Sequence, residues 1–374
     1  MQFRLQGGTL QLSGTSRQAL RLHSRAPQLP ANDPVNLYPL LRPLLFRLDP
    51  ETAHNLTLTG LRNLHALGLL KPFLPSVPSL PRRVMGLDFP NPLGLAAGLD
   101  KNGEAIDALG DFGFGFLELG AVTPRPQPGN PKPRLFRLPA AEAIINRMGF
   151  NNLGVDHLLE KLATCRYRGI LGVNLGKNLD TPIERAADDY LILLNKLYGK
   201  ASFVTINISS PNTKNLRALQ GGDELDALLG LIKAEQNKLA QQHGKYMPVA
   251  VKIAPDLEAE QVNAMAALFR KHRIDALIAT NTTLARNAVA HLPHGQETGG
   301  LSGAPLREQS TRIIQAFHTA LAGEVPIIGA GGISDGAGAR EKIAAGAELL
   351  QVYSGLIFRG PELVSECVRA LRDT

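Results

Sequence analysis

The chain has 374 residues, of which 44% are hydrophobic and 20% charged, enough for one barrel-sized domain with a smaller appendage and a sizeable buried core. Two distant cysteines, Cys165 and Cys367, and nine histidines without an H-E-x-x-H pattern suggest neither a disulfide framework nor a metal site. The net charge of +7 is confined to the N-terminal part: residues 1–83 hold ten Lys and Arg against three Asp and Glu, and the remainder carries thirty of each. A basic surface of that kind serves nucleic acid, anionic lipid or neither.

Residues 1–36 are polar, Arg-bearing and without periodicity, and are expected to be a disordered tail, similar in composition to a mitochondrial transit peptide. From Leu37 the pattern changes. Leu40, Leu41, Leu44, Leu45 and Leu48 recur at helical spacing with Arg42 and Arg47 between them, which predicts a short amphipathic helix with Pro43 in or near its first turn. Asp49-Pro50-Glu51 predicts a second helix, capped by Asp49, carrying Leu56, Leu61, Leu64 and Leu67 and fading near Gly68. A Pro-rich connector over 72–81 closes this region, 37–83. Two Leu-rich basic helices suit a membrane surface or an apolar ligand, or simply pack on the main domain. No apolar run is long enough to span a bilayer.

Over 84–374 one theme repeats: a short apolar run, a turn, then a helical stretch. Strands are predicted over 92–98, 116–123, 169–176, 203–210, 249–255, 276–282, 325–332 and 349–355. Eight such units predict an α/β fold, a (β/α)8 TIM barrel with a small N-terminal helical extension. An open doubly wound sheet is the alternative, without a G-x-G-x-x-G to support it.

The strand ends carry polar residues that are costly to bury unpartnered: Ala97-Gly98 before Asp100-Lys101, Thr123, Asn174, Asn207 with Ser210, Lys252, Thr280-Asn281-Thr282, Gly331-Gly332 and Tyr353-Ser354. Gly329-Ala-Gly-Gly332 and Tyr353-Ser-Gly355 offer backbone N–H groups at the two strand ends where barrels commonly hold phosphate. The stretch Phe203–Thr213 begins as a buried strand and ends in Ser209, Ser210, Asn212 and Thr213, with Pro211 pinning the turn. Lys252, flanked by apolar residues, is placed to stabilise developing negative charge.

Several long motifs resemble one family: Asn91-Pro-Leu-Gly-Leu-Ala-Ala-Gly-Leu-Asp-Lys101, Val122-Thr-Pro-Arg-Pro-Gln-Pro-Gly-Asn130, Ile145-Asn-Arg-Met-Gly-Phe-Asn-Asn152, Asn207–Thr213, Val251-Lys-Ile-Ala-Pro-Asp256, Ala279-Thr-Asn-Thr-Thr283 and Gly299-Gly-Leu-Ser-Gly303. Together they resemble dihydroorotate dehydrogenase of the quinone-dependent class 2, over roughly residues 37 to 370. The resemblance implies an FMN barrel that oxidises dihydroorotate to orotate in pyrimidine biosynthesis and passes electrons to a membrane quinone. It implies Ser210 as the catalytic base, where relatives using fumarate or NAD carry cysteine. It places Lys101, Asn146, Arg147, Met148, Gly149, Phe150, Asn207, Asn212, Asn281 and Thr282 against substrate. Ala97, Gly98, Ala121, Asn174, Asn207, Lys252, Thr280, Gly303, Gly332, Tyr353 and Ser354 fall on FMN. Ala121 departs from the family's frequent Thr or Ser, so any contact there runs through backbone. A serine needs help as a base, and Thr213 or a water is the nearest candidate to take its proton.

The resemblance also implies a monomer, peripheral on the cytoplasmic side of a bacterial inner membrane, or alternatively on the mitochondrial inner membrane, and no nucleic acid partner. Two other readings stand beside it. A tRNA dihydrouridine synthase would need a catalytic cysteine at a strand end. A phosphate-binding barrel without redox chemistry would be colourless.

Overall fold

The computed structural model describes residues 36–213 and 216–373; the tail expected over 1–36 lies, apart from Asn36, outside them. Eight parallel strands close into a barrel in chain order: Leu93–Leu95, Phe116–Val122, Ile170–Leu175, Phe203–Asn207, Val249–Ile253, Ala276–Ala279, Ile327–Ala330 and Leu349–Val352. All eight predicted strands are present. Each is shorter than its predicted run; beyond the ends of the first, fourth, sixth, seventh and eighth strands, Gly98, Ser210, Thr280, Gly331 and Tyr353 leave the ladder to line the mouth.

Side chains alternate along a strand, so residues two apart face the same side. Inside the barrel this produces two layers. Near the base, Phe116, Phe203, Ala250, Ile278, Ile328 and Leu349 form an apolar cluster. Two residues further along four of those strands stand Glu118, Thr205, Lys252 and Gln351, all buried. The interior thus changes from apolar to polar toward the C-terminal face. The two phenylalanines fit because glycines stand beside them: a Cβ on Gly94 would lie 2.3 Å from the Phe116 ring, and one on Gly172 would lie 2.2 Å from the Phe203 ring.

A hairpin of Arg82–Val84 and Leu87–Phe89, turning through Met85 and Gly86 at φ 53° and 73°, seals the base. Its Val84 and Phe89 join the apolar cluster, with Phe89 edge-on to Phe116 at 5.3 Å. A second feature outside the barrel is an antiparallel sheet of Leu135–Leu138, Ala143–Asn146 and Gly300–Gly303. Strands of four residues carry too little alternation to be read from sequence, and the third comes from more than 150 residues downstream.

The two N-terminal helices are α1 (Tyr38–Leu45) and α2 (Pro50–Ala66). Asp49 caps α2 as expected, accepting from the Thr52 N–H at 2.9 Å. The prediction for Pro43 needs correction: Pro39 occupies the first turn of α1, and Pro43 sits inside the helix, which stops two residues later. Both helices are tied to the barrel. Arg134 makes a two-pronged bond to Glu51 at 2.7 and 3.1 Å, both residues being buried. Tyr38 donates to the Ile357 carbonyl at 2.5 Å, Arg42 donates to that of Phe358 at 2.7 Å, and His65 meets Asp111 at 2.6 Å. Their outer side is bare: Leu40 and Leu67 are each 71% exposed, and Leu41, Leu44 and Leu56 are more than half as open. Among the described residues, no helix is long and apolar enough to cross a membrane.

Candidate active site

The C-terminal ends of the strands surround a cavity of about 1080 Å³, including the part open to solvent. Of the residues that the resemblance places on substrate or FMN, all but Arg147 line it: Ala97, Gly98, Lys101, Ala121, Asn146, Met148, Gly149, Phe150, Asn174, Asn207, Ser210, Asn212, Lys252, Thr280, Asn281, Thr282, Gly303, Gly332, Tyr353 and Ser354; Asp100, Thr123, Ser209 and Thr213, also marked by the sequence, do not. The Arg147 side chain is turned outward instead. It pairs with Glu297 at 2.7 Å, donates to the Pro133 carbonyl at 2.9 Å and lies 4.6 Å above the Phe136 ring. Only its carbonyl faces the site's loops, accepting from Asn130 at 2.9 Å.

A chain of side-chain bonds runs across the floor. Asn174 Nδ2 donates to Glu118 at 2.8 Å, Asn207 Nδ2 donates to Asn174 Oδ1 at 2.8 Å, and Ser209 donates to Asn207 Oδ1 at 3.0 Å. Asn281 then donates to Ser209 Oγ at 2.9 Å. Gln351 bonds the other oxygen of Glu118. Lys252 is 6% exposed and its side chain points into the cavity. Burial pulls its pKa below the ordinary lysine range, with Glu118 opposing.

Ser210 is 6% exposed and its hydroxyl accepts from the Asn212 N–H at 3.3 Å. No direct bond joins it to Thr213. Asn212 donates to Asn146 Oδ1 at 3.2 Å, which brings the fourth strand's loop against the antiparallel sheet. Lys101 donates to the Gly98 carbonyl at 2.7 Å, and burial pulls its pKa down to about 8, against the charge of Glu51. Ala121 borders the cavity with its methyl and backbone alone.

Some participants escaped the sequence reading. Glu118 and Gln351 are polar residues inside apolar strands, the same signal that marked Lys252. Arg217 had no such signal: it donates to the Ser209 carbonyl at 3.1 Å, the Thr282 carbonyl at 2.8 Å and Asp256 at 2.8 Å, joining the ends of the fourth, fifth and sixth strands. Neither cysteine reaches the cavity; Cys165 ends a surface helix and Cys367 is buried in the last one.

A second, apolar chamber lies between α1, α2 and the barrel, lined by residues such as Leu41, Phe46, Ala53, Leu61, Leu109, Phe112 and Leu356. Its polar fittings are few. Arg137 stacks over Phe46 at 4.6 Å and donates to the Leu45 carbonyl at 3.1 Å. His54 is held neutral, its pKa pulled down to about 4 by burial and by Lys101. Tyr353 borders both this chamber and the polar cavity.

An eight-stranded parallel barrel with a polar cavity at its C-terminal face and an apolar chamber beside it defines a (β/α)8-barrel enzyme with two compartments. The dihydroorotate dehydrogenase family model matches residues 79–374, and the chain belongs to that family. A dihydroorotate dehydrogenase (quinone) of Aromatoleum aromaticum is 63% identical over 337 residues, covering 90% of this chain and 95% of the relative. That of Thiobacillus denitrificans is 63% identical over 335 residues, covering 90% and 99%. Among solved structures, the Eimeria tenella enzyme in complex with ferulenol superposes with a TM-score of 0.81 at 38% identity, covering 91% of this chain and 94% of that one.

Proposed function

We propose that the polar cavity binds FMN and oxidises dihydroorotate to orotate, that the apolar chamber admits a quinone which takes the electrons, and that this is the oxidative step of pyrimidine biosynthesis. The family is one of flavoproteins, and the relatives named above are described as quinone enzymes. The observation that carries the reading is the buried Ser210 hydroxyl set among the amides of Asn146, Asn207, Asn212 and Asn281, with Lys101 at the rim.

The cavity's own chemistry fits a flavin. Thr282 Oγ1 and Gln351 Oε1 are buried without a hydrogen-bond partner, and the buried Lys252 adds a cation. The N–H groups of Gly331, Gly332, Ser354 and Gly355 have no acceptor among the described residues. A Cβ on Gly303 would come within 2.1 Å of the Glu142 carbonyl, so that loop keeps its backbone bare. These glycine loops hold the phosphate, Asn174, Asn207 and Lys252 face the ring system, and Ala97, Gly98 and Thr280 border it. Bound there, FMN supplies the hydride acceptor.

The rest is done by the chain's own residues. Lys101 takes the substrate carboxylate, and the four asparagine amides, each with a donor and an acceptor end, match the pyrimidine edge. Ser210 removes the proton from C5 as its own hydroxyl proton passes to water, its orientation set by the Asn212 N–H. The Arg217 bonds hold the Ser209 and Thr282 carbonyls, and with them the loop that carries Ser210. Residues 37–83 form the quinone entrance, and the bare leucines of α1 and α2 rest on the membrane surface, on the cytoplasmic side of a bacterial inner membrane. The enzyme works as a monomer.

Purifying the protein and recording its visible spectrum tests the reading. A yellow protein that bleaches when dihydroorotate is added without oxygen, and regains its colour on adding a soluble quinone, is the expected result. A colourless protein, or a yellow one that does not bleach, would sink the proposal.

A further inference from the structure

Helix Gly336–Ala344 buries one lysine completely. The Lys342 ammonium donates to three oxygens of the neighbouring helix Arg307–Leu321: the Arg307 carbonyl at 2.7 Å, the Thr311 hydroxyl at 2.6 Å and the Ser310 hydroxyl. In its charged form Lys342 has protons to give and no lone pair to receive one, which sets the direction of every bond in the cluster. Thr311 hands its proton to the Arg307 carbonyl at 2.8 Å. That carbonyl already accepts from Lys342 and Thr311, which leaves the Ser310 proton for the Gly331 carbonyl at 2.9 Å, in preference to Arg307 at 3.1 Å.

Gly331 follows the seventh barrel strand and lines the cavity. In a trans peptide the carbonyl and the next N–H point in opposite directions, and the Gly331–Gly332 bond is trans. Holding the Gly331 carbonyl back against Ser310 therefore turns the Gly332 N–H away from the helix. The loop lies flush on that helix: a Cβ on Gly332, at φ 72°, would fall 2.4 Å from Arg307 Cα. Donation from the cation also polarises the Ser310 hydroxyl and, through it, the Gly331 peptide.

We propose that Lys342 and Ser310 are positioning residues for phosphate, aiming the Gly332 N–H through the Gly331 carbonyl at the phosphate end of FMN. This rests on the reading of the cavity as a flavin site. Burial pulls the Lys342 pKa down to about 7, with Glu341 raising it and Arg307 lowering it. An ammonium bonded only to neutral oxygens is costly to bury, and a phosphate beyond the Gly331 peptide offsets part of that cost.

The test compares full-length holoenzyme with Ser310→Ala and Lys342→Met. FMN affinity is measured from flavin release on dilution and riboflavin affinity by displacement, and the ratio of the two Kd values isolates the phosphate. In Ser310→Ala the ratio of Kd for FMN to Kd for riboflavin is expected to rise about tenfold, the weight of one hydrogen bond to a charged group, and in Lys342→Met at least as far, while riboflavin affinity stays within about twofold. An unchanged ratio overturns the proposal, as does equal weakening of both ligands, which would make the cluster a support for the helix alone. Ser310→Ala removes a single oxygen and carries the test if Lys342→Met does not fold. Wild-type protein without visible absorbance would overturn the flavin reading itself, and is told apart by that colour.

Discussion

Asn207 and Asn174 are joined amide to amide, Nδ2 to Oδ1 at 2.8 Å, and the direction of that bond is dictated one residue away by Glu118. A carboxylate only accepts, so it draws the NH2 of Asn174 and leaves its oxygen for Asn207; Asn207 in turn presents its oxygen to Ser209. Replacing Glu118 by glutamine keeps one acceptor oxygen but sets its NH2 against the NH2 of either Asn174 or Gln351, so one of those two amides must turn over. Flavin affinity is expected to drop about 10- to 100-fold, the equivalent of one hydrogen bond to a charged group, with little change in far-ultraviolet circular dichroism. Full flavin retention on dialysis would show that the amide order is irrelevant.

Ser210→Ala removes the proposed base while leaving the fourth strand and its loop in place. Single-turnover reduction of the bound flavin by dihydroorotate is expected to slow by about 10²–10⁴-fold, the usual weight of a positioned base. Stopped-flow absorbance reads this directly, and an unaltered rate would take Ser210 out of the chemistry.

The depressed pKa of Lys101 sets a pH limit. Its ammonium is present below about 8 and is lost as pH rises through that value, so kcat/KM for dihydroorotate should decline above about pH 8. Lys101→Arg keeps the charge throughout and is expected to abolish that limb. If the profiles of the two proteins coincide, another group is titrating.

Glu51→Ala leaves the buried Arg134 without its carboxylate, and the loss of one partner of such a pair costs about 3–5 kcal/mol. The melting temperature should fall, and α2 should loosen from the barrel. Measured at pH 7, quinone reduction is expected to suffer far more than flavin reduction by dihydroorotate. Because Glu51 raises the pKa of Lys101, the same substitution moves the alkaline limb to lower pH. Equal loss of both half-reactions would mean that α2 supports the whole fold.

The proposed membrane contact of the exposed leucines is measurable. Each leucine buried in lipid contributes about 1.5–3 kcal/mol, so Leu40→Gln with Leu44→Gln should weaken binding to anionic-lipid vesicles by at least about 100-fold without slowing flavin reduction. Sedimentation with vesicles that is indifferent to the pair would exclude this face as the contact.

The barrel and most of the cavity were legible because a parallel strand buried on both faces is an apolar run, and a polar residue at its end stands out. Lys252 was found that way. Glu118 and Gln351 carry the same mark in the same layer of the barrel, each a polar residue within an apolar strand. Arg217 could not be found by such reasoning: its three acceptors come from residues 209, 256 and 282, which only the closed barrel brings together. Arg147 shows the converse limit. It stands between Asn146 and Met148, both in the cavity wall, but at an antiparallel strand's end the next side chain points outward to Glu297.

The position of Tyr353 has a kinetic meaning. Of the described residues bordering the polar cavity, it alone also borders the apolar chamber. On the proposed reading, donor and acceptor of electrons occupy separate seats, and neither must vacate for the other to arrive. A blocker lodged beside α1 and α2 should be noncompetitive against dihydroorotate, and it should leave the protein stalled and bleached rather than empty.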